Sequence, residues 1–221
     1  MDNVTRLQYL EAMGIAVWLP RVAVDQLQVP DAKVKLTDNW ESLQAEVSRC
    51  KRCDLCETRK STVSGAGNIN AEWLIVGEAP GLSEDQQGLP FVGKTGLLLT
   101  EMLRAINLAR EDVFITNVLK CRPPDNREPK SHEVETCKTY LLREHALLKP
   151  KIILALGHVA AQALLNTQEP LVELRGKVHA LNDTPLVVVY HPAYLLRSLL
   201  GKRKAWEDLK FAMQTVKNCK G

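Results

Sequence analysis

The chain has 221 residues, 45% of them hydrophobic, and a formal net charge of +3. This suits one α/β domain with a short extra segment and a core of ordinary size, and the charge balance does not demand nucleic acid. No apolar run reaches the length of about 18 residues that a membrane span needs, and Asp2, Arg6 and Glu11 interrupt any secretory signal, so a cytoplasmic protein without membrane contact is expected.

In chain order, Val4, Leu7, Leu10 and Met13 recur at helical spacing, and Gly14 is placed to end that helix. Ile15, Trp18, Leu19 and Pro20 follow, and residues 22–37, with Pro30, read as a linker. Residues 1–37 are therefore separated from a domain spanning 38–221. Asp38 with Glu41 resembles a capping box, opening a helix through Trp40, Leu43 and Val47 that runs into Cys50. Strands are predicted at Trp73–Val76, Val113–Thr116, Ile152–Leu156 and Leu186–Tyr190. Between and after them, helices are predicted near Thr95–Asn107, Glu133–Leu148, His158–Leu165 and Ala205–Val216, with a hairpin in Leu174–Val189 turning at Asn182-Asp183. Short β-branched runs alternating with helices predict a three-layer α/β sandwich around a mainly parallel four-stranded sheet.

Ligands of such sheets bind beyond the carboxyl ends of the strands. Three of the four predicted ends carry a polar residue suited to chemistry: Glu78, Asn117 and His191. Gly88–Thr95 matches the phosphate-loop pattern G-x-x-x-x-G-K-[ST], but Ser83–Gln87 before it is no strand and Pro90 lacks an N–H, so nucleotide hydrolysis is the weaker reading. Six cysteines in a cytoplasmic chain favour metal ligands or free thiols over disulfides. Cys50 and Cys53 form a C-x2-C pair, and Cys121 and Cys137 have fifteen residues between them. Four thiolates can hold zinc or an iron–sulfur cluster, and on spacing alone Cys56 could replace Cys53.

Three long segments carry a family resemblance: Gly77–Gly93 (GEAPGLSEDQQGLPFVG), Thr116–Pro124 (TNVLKCRPP) followed by Asn126-Arg127, and His191–Arg197 (HPAYLLR). In this order they resemble the motifs of the family 4, iron–sulfur uracil-DNA glycosylases, and the likeness covers about residues 38–217. The resemblance implies a monofunctional enzyme that hydrolyses the N-glycosidic bond of deoxyuridine in single- and double-stranded DNA. It implies a [4Fe–4S] cluster on Cys50, Cys53, Cys121 and Cys137. It also implies that Phe91 stacks on uracil, that Asn117 reads the Watson–Crick edge and that His191 holds O2. Glu78, with Glu84 as the alternative, is the carboxylate expected to stabilise the sugar cation or orient water. Gly77, Ala79, Tyr194 and Arg197 complete the expected substrate contacts, with apolar residues of Tyr194–Arg197 as a wedge into the base stack. Glu78-Ala79 and the lack of a long basic loop differ from the crosslinking relatives, which implies free product. Ala193 stands where family members often have Ser.

Residues 6–21 are similar to the N-terminal peptide of the psi subunit of bacterial DNA polymerase III, which implies a clamp-loader or replication partner. A competing reading of the whole chain is a replication-associated DNA-binding protein that has lost catalysis.

Overall fold

The computed structural model describes residues 39–218. The N-terminal helix, the linker, Asp38 and Cys219 lie outside the described residues.

Helix α1 (Trp40–Ser48) is capped by Asn39, whose Oδ1 accepts from Ser42 N at 2.8 Å. The short helix α2 (Leu55–Thr58) follows the C-x2-C pair. Strand β1 (Ala66–Gly67) was not expected; it has two residues, and Gly67 has φ +120, so it shows no alternation to read. Strand β2 (Trp73–Gly77) leads to α3 (Leu82–Gln87), also unexpected, and α4 (Lys94–Arg104). Strand β3 (Phe114–Asn117) is followed by α5 (Ser131–Leu148), β4 (Ile152–Leu156) and α6 (His158–Leu165). The short α7 (Leu171–Leu174) leads to β5 (Val178–Leu181), which pairs with β6 (Thr184–Val189) as the expected hairpin. The chain closes with α8 (Pro192–Leu195) and α9 (Leu199–Asn218), which starts six residues before the predicted Ala205.

The sheet order is β1-β3-β2-β4-β6-β5. The four predicted strands are its parallel centre, and β1 and β5 add antiparallel edges, so the sheet has six strands where four were expected. Alternate strand residues face opposite ways, and both sides are apolar. Ile75, Ile115, Leu154 and Val187 pack against Leu99 and Leu103 of α4 and Leu209 and Ala212 of α9. Leu74, Phe114, Ile153 and Leu186 pack against Leu141 of α5 and Ala160 and Leu164 of α6. The result is the expected three-layer sandwich. Across β2, the chain turns to β3 on one side and later to β4 on the other, so the β2/β4 boundary is the switch point where a ligand crevice opens. Among the described residues, no helix is long and apolar enough to cross a membrane.

Candidate active site and cysteine site

A cavity of about 450 Å³ lies at that edge of the sheet. Its walls include Glu78, Ala79, Phe91, Asn117, His191 and Arg197, drawn from the ends of β2, β3 and β6 and the loops that follow. The three polar residues predicted at strand ends therefore meet in one place. The register aligns Gly77 with Asn117, and Val118 N and Leu119 N donate to Gly77 O and Glu78 O at 2.9 and 3.0 Å. Those bonds extend the β2–β3 pairing past its end and fix Glu78 beside Asn117.

Asn117 is 2% exposed, and its Oδ1 is the one buried side-chain oxygen or nitrogen without a partner among the described residues. A buried unpaired acceptor costs about 1–3 kcal/mol, so the pocket holds an acceptor that a ligand N–H can satisfy. Gly77 does not line the cavity but makes it possible: a Cβ there would lie 2.4 Å from Asn117 Oδ1 and 2.5 Å from Phe91 Cζ.

Phe91 is buried with φ +52, a left-handed conformation that costs a non-glycine residue about 1–3 kcal/mol. The surroundings enforce it. Glu84 Oε1 accepts from Val92 N and Gly93 N at 3.0 and 3.1 Å, and its Oε2 accepts from Gly81 N at 3.1 Å. Arg110 Nη2 donates to Pro90 O at 2.5 Å, and Gly96 leaves room for Phe91 O, which a Cβ would approach to 1.8 Å. Three main-chain donors thus occupy the Glu84 carboxylate, which ties the Gly81 turn to the Phe91 loop. The same bonds dispose of the phosphate loop: two of its N–H groups already serve Glu84, and α3 rather than a strand precedes Gly88.

His191 caps α8, and its Nδ1 accepts from Ala193 N at 3.2 Å. A neutral ring in that bond carries its proton on Nε2. Burial, with a smaller push from His158, lowers its pKa to about 4, so the ring is neutral at pH 7. Its centroid lies 5.9 Å from that of Phe91. Gly157, at φ +87, clears the space behind: a Cβ would lie 3.0 Å from that of His191. Burial raises the Glu78 carboxyl above the usual range, which His158 partly offsets. His158 Nε2 meets Glu128 Oε1 at 2.5 Å, an exposed pair.

Tyr194 is not a wall residue; it is 45% exposed and stacks on Tyr190 at 5.0 Å. Within the expected wedge, Leu195 is buried in the core and Leu196 is exposed. The sequence reading gave no role to Asn126 and Arg127, which line the cavity. Arg127 grips the buried Glu133 with two bonds of 2.6 and 2.9 Å, which holds the Glu133 carboxyl below its usual range. The available signal was their place after Pro123-Pro124, in a turn where Asp125 and Asn126 both have positive φ.

The cysteines gather elsewhere, between α1 and α5. Cys121 and Cys137 are buried there with Leu43, Val47, Leu119 and Tyr140, and Cys50 and Cys53 pack against them; Cys56 is not part of that cluster. Arg59 Nη1 donates to Cys121 Sγ at 2.9 Å and Lys120 N to Cys137 Sγ at 3.2 Å. Burial pushes the Cys53 and Cys121 thiols up and Cys137 up to about 12. Among the described residues, no three His, Cys, Asp or Glu side chains converge as ligands of a single metal ion. Cys50, Cys53, Cys121 and Cys137 are the residues here that could hold a metal or an iron–sulfur cluster.

The strand-end pocket of a doubly wound sheet, with an amide, a neutral imidazole and an aromatic ring converging on it, defines a site for a planar polar heterocycle. Residues 64–210 match the family model "Uracil DNA glycosylase superfamily". A type-4 uracil-DNA glycosylase of Archaeoglobus fulgidus is 44% identical over 167 residues, 72% of this chain and 84% of that protein. The type-4 enzyme of Pyrobaculum aerophilum is 45% identical over 76% of this chain and 90% of its own, and that of Thermotoga maritima 38% over 80% and 94%. The chain belongs to the uracil-DNA glycosylase superfamily, and to its type-4 branch.

Proposed function

We propose that the chain hydrolyses the N-glycosidic bond of deoxyuridine in DNA, in single and double strands. The observation that carries this is the unpaired Asn117 Oδ1 at the back of the cavity. Uracil offers an N3–H donor beside the O4 acceptor, which an amide matches, whereas cytosine offers the reverse pattern. The base must leave the stack to reach this pocket. Phe91, rigid in its strained loop, presents its ring to the base, a contact worth about 1–3 kcal/mol. As the bond to the sugar breaks, negative charge grows on uracil O2. The His191 Nε2–H is the donor for that charge, and the neutral ring gives this hydrogen bond without acting as a general acid. Glu78, ionised beside the sugar, stabilises the positive charge there or orients the attacking water. Glu84 supports the Phe91 loop rather than acting on water, because its oxygens are already engaged. Ala79 and Arg197 line the cavity, where Arg197 suits a phosphate. Tyr194, on Tyr190, is left to contacts outside the pocket. Leu199 and Leu200 are 82% and 80% exposed beside Lys202-Arg203-Lys204, an apolar and basic surface that suits DNA better than water. Among the described residues that line the cavity, none is a lysine suited to a Schiff base.

Cys50, Cys53, Cys121 and Cys137 would hold a [4Fe–4S] cluster. Such a cluster, when bound, supplies a covalent crosslink between the end of α1, the loop after β3 and α5. Replication machinery as a partner of residues 1–21, and a cytoplasmic location, remain sequence-based parts of the proposal. Capture of clamp-loader subunits by a peptide of residues 1–30, but not by its Trp18→Ala form, tests the first.

The activity is tested by incubating the protein with a uracil-containing oligonucleotide and then alkali. Strand breaks at the uracil position are expected, and an intact strand overturns the reading.

A further inference from the structure

We infer that Lys120 is a positioning residue that holds Asn117 ready for uracil, through an ion pair buried behind the pocket. The inference rests on Asn117 reading the base.

Lys120 is 1% exposed, although lysine is seldom fully buried. Its Nζ uses all three donors, to Glu144 Oε2 at 2.7 Å, Thr116 Oγ1 at 2.6 Å and the main-chain oxygen of Asn117 at 2.9 Å. Glu144, equally buried, also accepts from Thr116 Oγ1 at 2.9 Å and Gly65 N at 3.2 Å. Every described bond of this ammonium therefore runs to Glu144 or to the last two residues of β3.

That placement matters because the Asn117 side chain has no hydrogen bond on its Oδ1. Its aim depends on its backbone, and it stands at the last paired position of β3. Lys120 returns over the strand end and takes the Asn117 carbonyl. Its own main chain is anchored twice, with N on Cys137 Sγ at 3.2 Å and O accepting from Val63 N at 2.8 Å. The segment Asn117–Lys120 is thus a strap tied at one end to β2 and at the other to the cysteine-bearing helix α5. A buried ion pair seldom adds net stability compared with apolar packing, so a role in orientation accounts for it better.

The test compares Lys120→Met, Lys120→Met/Glu144→Gln and Asn117→Ala in the full-length protein. The readouts are thermal midpoint, excision kinetics, inhibition by free uracil and affinity for an abasic-site oligonucleotide. Lys120→Met alone leaves a buried carboxylate uncompensated and should lower the midpoint; the double variant should recover it. The double variant should still bind free uracil about tenfold more weakly, the loss of about one hydrogen bond, with abasic DNA affinity unchanged. Recovery of uracil affinity and excision together with stability would overturn the inference, since the pair would then only balance charge. Thr116→Val, which removes one partner of the ammonium and keeps the shape, should show a smaller loss of the same sign. If the double variant does not fold, unchanged uracil affinity in Thr116→Val overturns the inference instead. Unaltered uracil inhibition in Asn117→Ala would mean that the base-reading assignment itself is wrong.

Discussion

The base pocket and the cysteine site lie within a few residues of each other on the chain, yet they are built on opposite rules. The pocket leaves Asn117 Oδ1 buried and unpaired and holds Phe91 in a strained conformation. At the cysteine site, two of the sulfurs already receive hydrogen bonds, from Arg59 and from Lys120 N. Unpaired groups and strain belong where a ligand will supply what is missing. With chemistry at the pocket and architecture at the cysteines, as proposed, variants at each should fail in different ways.

The largest effect should come from His191. His191→Ala removes the donor to the leaving base and should slow excision by about 100-fold or more while the protein stays folded, with only the small loss of thermal midpoint expected for a lost helix cap. A loss of activity matched by a loss of fold would erase the distinction between the two regions. Cys53→Ala should do the converse: loss of the broad visible absorption of a bound cluster, and a lower thermal midpoint. Cys56→Ala should change neither, and zinc without iron on metal analysis would contradict the cluster.

The two carboxylates sharpen the comparison within the pocket. Glu84→Gln replaces the acceptor of three main-chain N–H groups and should cost about 1–3 kcal/mol of stability along with activity. Glu78→Gln should cost activity with no loss of stability, because it removes a charge that burial disfavours. Paired denaturation and rate measurements separate them.

The smallest effects concern pH. His191 titrates near 4 in the folded protein against 6.5 ordinarily. Its contribution to stability is therefore full above about 6.5 and is lost as the pH falls towards about 4. Glu78 is shifted the other way, above 4.5, so the folded protein gains stability as that group takes up its proton. With Glu78 acting in its charged form, as proposed, kcat should fall on acidification at a pH above 4.5, and Glu78→Gln should abolish that limb. A kcat that instead falls as the pH rises from about 6 to 8 would indicate a protonated histidine acid and contradict the neutral ring.

The four central strands were legible because both faces are buried, which leaves continuous runs such as Ile152–Leu156. Placing Glu78, Asn117 and His191 needed only those strand ends. Edge strand β1, with Gly67 inside it, carries no pattern, and α3 is a single turn and a half of mostly polar residues. The main-chain bonds of Glu84 could not be read from sequence, because its partners Val92 and Gly93 are brought near by a turn. Lys120 was likewise hidden: a lysine within a motif reads as surface until the buried Glu144, 24 positions away, is seen beside it.

The central claim is that the unpaired amide of Asn117 reads uracil. Single-turnover excision by the native protein and by Asn117→Asp, on otherwise identical strands carrying uracil or cytosine, tests it most directly. A carboxylate keeps the shape but cannot donate to O4, so uracil excision should fall by about 100-fold or more, and preference for uracil over cytosine should narrow. Unchanged rate and preference in Asn117→Asp would contradict the account.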